Sequence, residues 1–130
     1  MIRPSAAPVH LDTSFLIRAL VPGTDECTRL RRWLTERTPL AVSTLVWGEF
    51  LCGPLDDEAS AVAARIAHRH VPVRTTEATD AARLFNASGR RRGSFPDCVI
   101  AATAIGAGAK LATSDTADFG RFSAMGLELV

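Results

Sequence analysis

The sequence predicts an α/β sandwich in which a mainly parallel sheet lies between layers of helices. Short apolar segments with strand character alternate with helical segments along the chain, and this alternation is typical of parallel sheets. The 130 residues are 47% hydrophobic and contain no repeat, linker or low-complexity tract. A chain of this size buries one sizeable core, so we expect a single domain over residues 1–130.

The first half of the chain is predicted to contain two strands and four helices. Leu30, Trp33 and Leu34 share one face of the second helix, while arginines cover the other face. Gly53-Pro54 ends the third helix, because proline does not continue a helix. The expected elements are strand Val9–Leu11, helix Phe15–Leu20, a helix from Thr24 or Asp25 to about Arg37, strand Ala41-Val42, helix Thr44–Cys52 and helix Asp57–His70.

The second half is predicted to add three strands and two helices, which gives a five-stranded sheet in total. A loop at Gly89–Phe95 separates the two helices. The expected elements are strand Val71–Arg74, helix Thr76–Ser88, helix Pro96–Ala107, strand Lys110–Thr113 and a last strand near Leu127–Val130.

The composition of the chain limits the kinds of partner and environment that are expected for it. A net charge of +1 excludes binding of nucleic acid through overall positive charge, so such contact requires a local patch. No apolar run approaches the roughly 18 residues of a membrane span, and the first ten residues lack a signal-peptide core. The widely spaced Cys27, Cys52 and Cys98 predict buried free thiols and a cytoplasmic protein.

Three carboxylates lie where charge is costly. Glu49 and Asp97 are each the only charged side chain in a stretch of seventeen residues, 39–55 and 93–109. Asp12 lies among apolar residues directly after the first strand. An unpaired buried carboxylate costs several kcal/mol, and a divalent cation would offset that cost for all three. Hard cations such as Mg²⁺ and Mn²⁺ prefer carboxylate oxygens.

A fourth carboxylate, Asp115, follows the strand Lys110–Thr113. Ligands of open parallel sheets bind beyond the carboxyl ends of the strands, so Asp12 and Asp115 are expected at the same edge. Each acid also has a purely structural explanation. Asp12 caps a helix, Ser94 and Asp97 fit a capping box, Glu49 joins a buried ion pair, and Asp115 is a turn residue. These are four separate explanations, whereas a metal site is one.

Four motifs follow one another along the chain. They are Asp12-Thr13-Ser14 after the first strand, Trp47–Gly53, Asp97–Ala104 and Thr113–Phe119. Together they resemble the motifs of PIN-domain nucleases, most closely the VapC-type toxins. The resemblance implies a five-stranded parallel sheet between helices and Mg²⁺- or Mn²⁺-dependent endonucleolytic cleavage of RNA. It also implies a cognate antitoxin, with assembly as a homodimer or a toxin–antitoxin hetero-oligomer.

Carried over position by position, the resemblance implies an acidic quartet that is both catalytic and metal-binding. The family often has asparagine where Asp115 stands, which makes Asp115 the least secure ligand. The implied quartet is Asp12, Glu49, Asp97 and Asp115. The implied residues around it are the hydroxyl-bearing Thr13, Ser14 and Thr113 and the auxiliary acid Asp118.

The loop arginines Arg90, Arg91 and Arg92 have two interpretations. They form a solvated turn, or they contact RNA phosphates at the rim of the acidic pocket and offset repulsion between the acids and the RNA.

Three other functions agree less well with the sequence. A haloacid-dehalogenase-like phosphatase needs a second aspartate where Ser14 stands and a lysine near the third motif, but Lys110 is the only lysine. A structure-specific DNA nuclease on the same fold usually carries insertions for which 130 residues leave no room. A non-catalytic PIN-fold RNA-binding or regulatory module would be favoured by loss of acids, and all four acids are present.

Overall fold

The structure is a computed structural model that describes residues 7–53 and 56–130. Within these ranges, four strands form one parallel sheet in the order β3-β2-β1-β4. The strands are β1 (Val9–Leu11), β2 (Leu40–Ser43), β3 (Arg69–Val71) and β4 (Lys110–Ala112). The helices are α1 (Thr13–Ala19), α2 (Asp25–Thr35), α3 (Thr44–Leu51), α4 (Asp57–Ile66), α5 (Thr75–Ala87), α6 (Phe95–Gly106) and α7 (Thr116–Gly120). The predicted class, a parallel sheet flanked by helices, is confirmed.

Strand β1 lies at the centre of the sheet. It pairs with β2 on one side and with β4 on the other, where Leu11 is in register with Ala112. All three residues of β1 are buried, as expected for a strand covered on both faces. The carboxyl ends of β1 and β4 therefore lie side by side at one edge of the sheet.

The expected fifth strand at Leu127–Val130 is reduced to one parallel bridge between Leu129 and Leu111. The N–H of Leu111 donates to the carbonyl of Glu128 at 2.9 Å, and the N–H of Val130 donates to the carbonyl of Leu111 at 3.0 Å. The bridge follows a 3-10 turn, Ser123–Met125, and Gly126 with a φ of +105°. After this turn only the single bridge at Leu129 forms.

Two boundaries differ from expectation in the middle of the chain. Helix α4 ends at Ile66, not at His70, and β3 spans Arg69–Val71, so it shares only Val71 with the predicted strand Val71–Arg74. Ala67 adopts φ −104° and ψ 58°, outside the helical region, so the chain leaves the helix there. Helix α7 was not predicted, because five residues are too few to display a helical apolar period.

The core lies between the sheet and the helices. Its largest fully buried side chains are Phe15, Phe50, Phe122, Leu11, Leu16 and Leu111. Helix α6 is buried along most of its length and packs most extensively against α5. No helix in the described ranges is long and apolar enough to cross a membrane.

The three cysteines are free thiols, as expected. Cys98 is buried and Cys27 is half-buried, but Cys52 is exposed, so the expectation of burial is wrong for Cys52. Cys52 is the residue after the last turn of α3, where the chain leaves the core. Two other expectations lie outside the described residues: the lack of a signal-peptide core within residues 1–6, and the helix-ending role of Pro54.

His10 in β1 makes the stability of the fold depend on pH. Its side chain is 3% exposed, and burial together with repulsion from Arg69 lowers its pKa from 6.5 to about 4. The folded state therefore binds fewer protons than the unfolded state between these values. This contribution to stability is complete above pH 6.5 and is lost as the pH falls toward 4.

We expect His10→Gln to remove this pH dependence, because glutamine does not titrate. Between neutral pH and about pH 4, wild-type protein should lose up to about 3 kcal/mol more unfolding free energy than the variant. Denaturant unfolding at a series of pH values measures the difference. Parallel pH profiles for the two proteins would contradict the prediction.

Candidate active site

The two aspartates that follow neighbouring strands lie at the same edge of the sheet. Asp12 follows β1 and is the N-cap of α1, and its backbone N–H donates to the carbonyl of Ala112 at 3.0 Å. Asp115 follows β4 and is the N-cap of α7. The parallel pairing of β1 with β4 brings the two residues together, as predicted from the strand ends.

Two helices complete a cleft at this edge. Glu49 lies in α3, which starts directly after β2, and Asp97 lies in the first turn of α6. The cleft has a volume of about 160 Å³. Its lining residues are Asp12, Thr13, Ser14, Glu49, Asp97, Ile100, Asp115 and Phe119. The structure thus brings all four predicted acids to one place.

Hydroxyl groups hold the buried carboxylate of Asp12, which is 3% exposed. The backbone N–H of Phe15 donates to Oδ1 at 2.7 Å, and the hydroxyl of Ser14 donates to Oδ1 at 2.9 Å and to Oδ2 at 3.0 Å. The hydroxyl of Thr113 also donates to Oδ2. The expected capping role of Asp12 is present, but these side-chain donors exceed what a cap requires.

Thr113 links Asp12 to Asp115. Its hydroxyl oxygen accepts the backbone N–H of Asp115 at 2.9 Å while it donates to Asp12. One threonine at the end of β4 therefore fixes a side chain of one acid and the backbone of another.

Glu49 has no ion-pair partner among the described residues, so a buried ion pair does not explain it. Instead, the hydroxyl of Thr13 donates to its Oε1 at 2.8 Å. Thr13 begins α1, so this bond ties α3 to the end of β1, next to Asp12.

The capping-box explanation of Asp97 is wrong. Ser94 is the N-cap of α6, but it has a helical conformation, φ −92° and ψ −3°, and makes no side-chain capping bond. Its hydroxyl donates to the carbonyl of Arg91 at 2.6 Å. Asp97 is half-buried, and Nη2 of Arg121 lies 3.7 Å from its Oδ2.

Burial and mutual repulsion raise the pKa values of two of these acids. For Asp12 the larger cause is burial, which its hydrogen bonds from Thr113, Phe15 and Ser14 oppose. For Asp97 burial is again the larger cause; Arg121 opposes it, while Asp118, Glu49 and Asp115 add repulsion. The charged forms of Asp12 and Asp97 are therefore disfavoured in the cleft.

Asp118 and the arginine loop lie at the rim. Oδ1 of Asp115 accepts the backbone N–H of Asp118 at 3.2 Å, so Asp115 does have the turn role considered above. Nη1 of Arg91 donates to Oδ1 of Asp118 at 3.0 Å, which lowers the pKa of Asp118. Arg90 and Arg92 are exposed, and neither forms an ion pair with a described residue.

The loop that carries these arginines is tightly bent. Arg90 has a φ of +53° between Gly89 at +93° and Gly93 at +79°. Left-handed conformations of this kind are uncommon outside glycine. The bend places the arginines between α5 and α6, immediately before the helix that carries Asp97.

The PIN domain family model matches residues 9–124. The chain belongs to the PIN domain family. No curated protein sequence matches the chain significantly.

Solved structures share the fold of this PIN domain. VapBC2 from Rickettsia felis, bound to a DNA fragment from its promoter, is 18% identical with a TM-score of 0.74, covering 95% of this chain and 97% of that one. VapC20 from Mycobacterium tuberculosis, a Sarcin-Ricin loop cleaving toxin, is 23% identical with a TM-score of 0.68, covering 94% and 98%. FitAcB from Neisseria gonorrhoeae is 20% identical with a TM-score of 0.68, covering 93% and 95%. At these identities the likeness concerns the fold.

The donor set of the PIN cleft fits a hard divalent cation. All four acids supply carboxylate oxygens, the ligands that Mg²⁺ and Mn²⁺ prefer. In the described ranges, however, no three His, Cys, Asp or Glu side chains already converge in the geometry of a metal site. Holding one cation with three or more of these acids would therefore require their carboxylates to move closer together.

Sequence reasoning missed Glu26, Ser114 and Arg121. The hydroxyl of Ser114 donates to Oε1 of Glu26 at 3.3 Å, and the backbone N–H of Ser114 donates to the hydroxyl of Ser14 at 3.2 Å. Nε of Arg18 also donates to Oε1 of Glu26 at 3.0 Å. Glu26 and Ser114 tie α2 to the loop after β4. Glu26 and Ser114 lie in polar segments and Arg121 lies beside Phe122, so no periodic pattern in the sequence distinguished the three.

We expect Thr113→Val to destabilise the PIN domain by about 1–3 kcal/mol at neutral pH, because a buried carboxylate loses a donor. Loss of that donor also raises the pKa of Asp12 further. The destabilisation should therefore shrink as the pH falls and Asp12 takes up a proton.

Thr103→Val is the matched control. Thr103 is 1% exposed, and its hydroxyl donates to the carbonyl of Val99 within α6 at 2.7 Å, so its removal affects no titrating group. Denaturant unfolding across pH should show a constant cost for Thr103→Val. An equally constant cost for Thr113→Val would count against the role assigned to Thr113.

Proposed function

We propose that this PIN domain is a Mg²⁺- or Mn²⁺-dependent endoribonuclease and the toxin of a type II toxin–antitoxin pair. The observation that carries the proposal is that Asp12, Glu49, Asp97 and Asp115, from four separate parts of the chain, line one cleft. Asp12 and Asp97 have raised pKa values, as expected for acids whose charged forms a bound cation would stabilise.

In the proposed site, Asp12 and Asp97 hold the cation directly: Asp12 is buried, Asp97 is half-buried, and both have raised pKa values. Glu49 and Asp115 orient the attacking water or hold a second ion. A bound divalent cation supplies charge neutralisation for the phosphodiester and acidifies water. The chain's own hydroxyl groups keep the acids in place: Thr113 and Ser14 at Asp12, and Thr13 at Glu49.

The biological assignment rests on family likeness. The PIN family match, the VapC-type order of motifs and the shared fold with toxin–antitoxin structures support an RNA substrate and a cognate antitoxin. They also support action in the cytoplasm as a homodimer or a toxin–antitoxin hetero-oligomer. The arginine loop supplies the local positive patch that the near-neutral net charge requires for RNA contact.

We expect Asp12→Asn and Asp97→Asn each to abolish RNA cleavage while the fold persists, because the amide keeps the volume and removes the charge. Mg²⁺ or Mn²⁺ should raise the melting temperature of wild-type protein, by an amount corresponding to about 3 kcal/mol at a concentration 100 times Kd. Both variants should lose most of this shift, and EDTA should reverse it.

Asp80→Asn is the control, because Asp80 lies on α5 in an exposed pair with Arg83. It should keep wild-type cleavage and the wild-type thermal shift. Full cleavage in metal-free buffer would exclude the proposed mechanism. A wild-type protein that binds RNA and cation without cleaving would favour the non-catalytic PIN module.

The arginine loop gives a separate test of RNA contact. Arg90 and Arg92 carry it, because Arg91 is already bonded to Asp118. Replacing both Arg90 and Arg92 with alanine should weaken binding of single-stranded RNA in metal-free buffer. It should also make the salt dependence shallower by about 1.4, since each lost phosphate contact removes about 0.7 from the slope.

A double alanine variant of Arg31 and Arg32 provides the control, because it removes the same charge from exposed positions on α2. It should leave the salt slope of RNA binding unchanged. Equal slopes for all three proteins would show that the loop is a solvated turn. Intact RNA binding with lost antitoxin binding would reassign it to the partner.

A further inference from the structure

Arg121 carries a buried positive charge without a hydrogen bond. It is the C-cap residue of α7, and its side chain is 18% exposed. Nε, Nη1 and Nη2 are all inaccessible to solvent and have no hydrogen-bond partner in the described part of the chain. Arginine usually satisfies its fork of donors, often in a bidentate pair with a carboxylate, so this arrangement is unusual.

Two interactions offset the burial of this charge. Nη2 lies 3.7 Å from Oδ2 of Asp97, which is ion-pair contact but too long for a hydrogen bond. The guanidinium carbon lies 4.6 Å from the centroid of the Phe122 ring, within the range of a cation–π interaction. The link between Arg121 and Asp97 is therefore electrostatic attraction, without the directional bonds that would fix it.

The other arginine near the acids is held differently. Arg91 is mostly exposed and donates a hydrogen bond of 3.0 Å to Asp118, which does not line the cleft. Arg121, in contrast, is paired with an acid inside the cleft. A cation that binds Asp97 must therefore compete with Arg121, whereas the bond of Arg91 can persist.

We propose that Arg121 is the resident counter-cation of Asp97: it neutralises that acid in the metal-free protein, is displaced by the divalent cation, and so sets the cation affinity of the site. This inference rests on the metal site of the proposed function. A divalent ion on Asp97 lies close to the guanidinium, and at these distances their repulsion weakens binding. Arg121 thus stabilises the empty site at the expense of the loaded one.

Removal of the charge should separate these effects. We expect Arg121→Gln to lower the Kd for Mn²⁺ about tenfold, with only a weak dependence on salt because the guanidinium is buried. The melting temperature of the metal-free variant should fall, because Asp97 loses its counter-charge, and its Mn²⁺-induced rise should exceed that of wild type. Arg121→Met makes the same test with an apolar side chain over Phe122, should the glutamine variant fail to fold.

Two controls accompany the titration, performed calorimetrically on the full chain with Mn²⁺ alone. Arg121→Lys keeps the charge and should bind Mn²⁺ with near wild-type affinity. Arg83→Gln removes one charge from the exposed pair on α5 and should leave the Kd unchanged.

The outcomes distinguish this inference from the function on which it rests. Wild-type binding of Mn²⁺ with an unchanged or weaker Kd in the uncharged Arg121 variants would overturn the inference alone, since Arg121 would then only pack or position Asp97. Equal tightening in Arg121→Lys would also overturn it. Absence of Mn²⁺ binding by wild-type protein would overturn the proposed metal site and the inference with it.

Discussion

Repulsion among carboxylates at one edge of the sheet is the constraint on which the surrounding arrangement depends. Parallel strands bring Asp12 and Asp115 together, and α3 and α6 add Glu49 and Asp97. Burial and like charge then raise the pKa values of Asp12 and Asp97. A fold under selection for stability alone would replace such a set with neutral side chains. Its presence in a cleft at the carboxyl edge of the sheet, next to an otherwise apolar core, favours a binding site.

The local structure opposes this repulsion with short polar side chains. Thr113, Ser14 and Thr13 each donate to an acid from the end of a strand or the first turn of a helix. Backbone at these positions is already fixed by the sheet and by the start of α1, so the donors need little additional ordering. The hydroxyl groups therefore orient Asp12 and Glu49 separately.

Much of this could be predicted from sequence because the signals were local. Isolated acids in apolar segments identified Glu49 and Asp97, and strand ends identified Asp12 and Asp115. The predictions that failed concerned features that depend on tertiary contacts or on short segments. The expected last strand is a single bridge at Leu129, and α4 ends at Ile66 because Ala67 leaves the helical conformation. The capping box at Ser94 matched by residue type, yet the backbone there is helical and cannot make the capping bond.

Arg121 shows why charge balance in such a site is invisible in sequence. Arg121 follows α7, and Asp115 caps the start of α7. One acid of the quartet therefore helps to form the helix that positions the arginine paired with another acid, Asp97. Neither α7 nor the pairing of Arg121 with Asp97 corresponds to a pattern in the sequence, so neither could be predicted from it. Arg91, in contrast, is exposed and donates a hydrogen bond to Asp118. The two arginines differ only in burial and bonding, and those differences decide which of them a bound cation must displace.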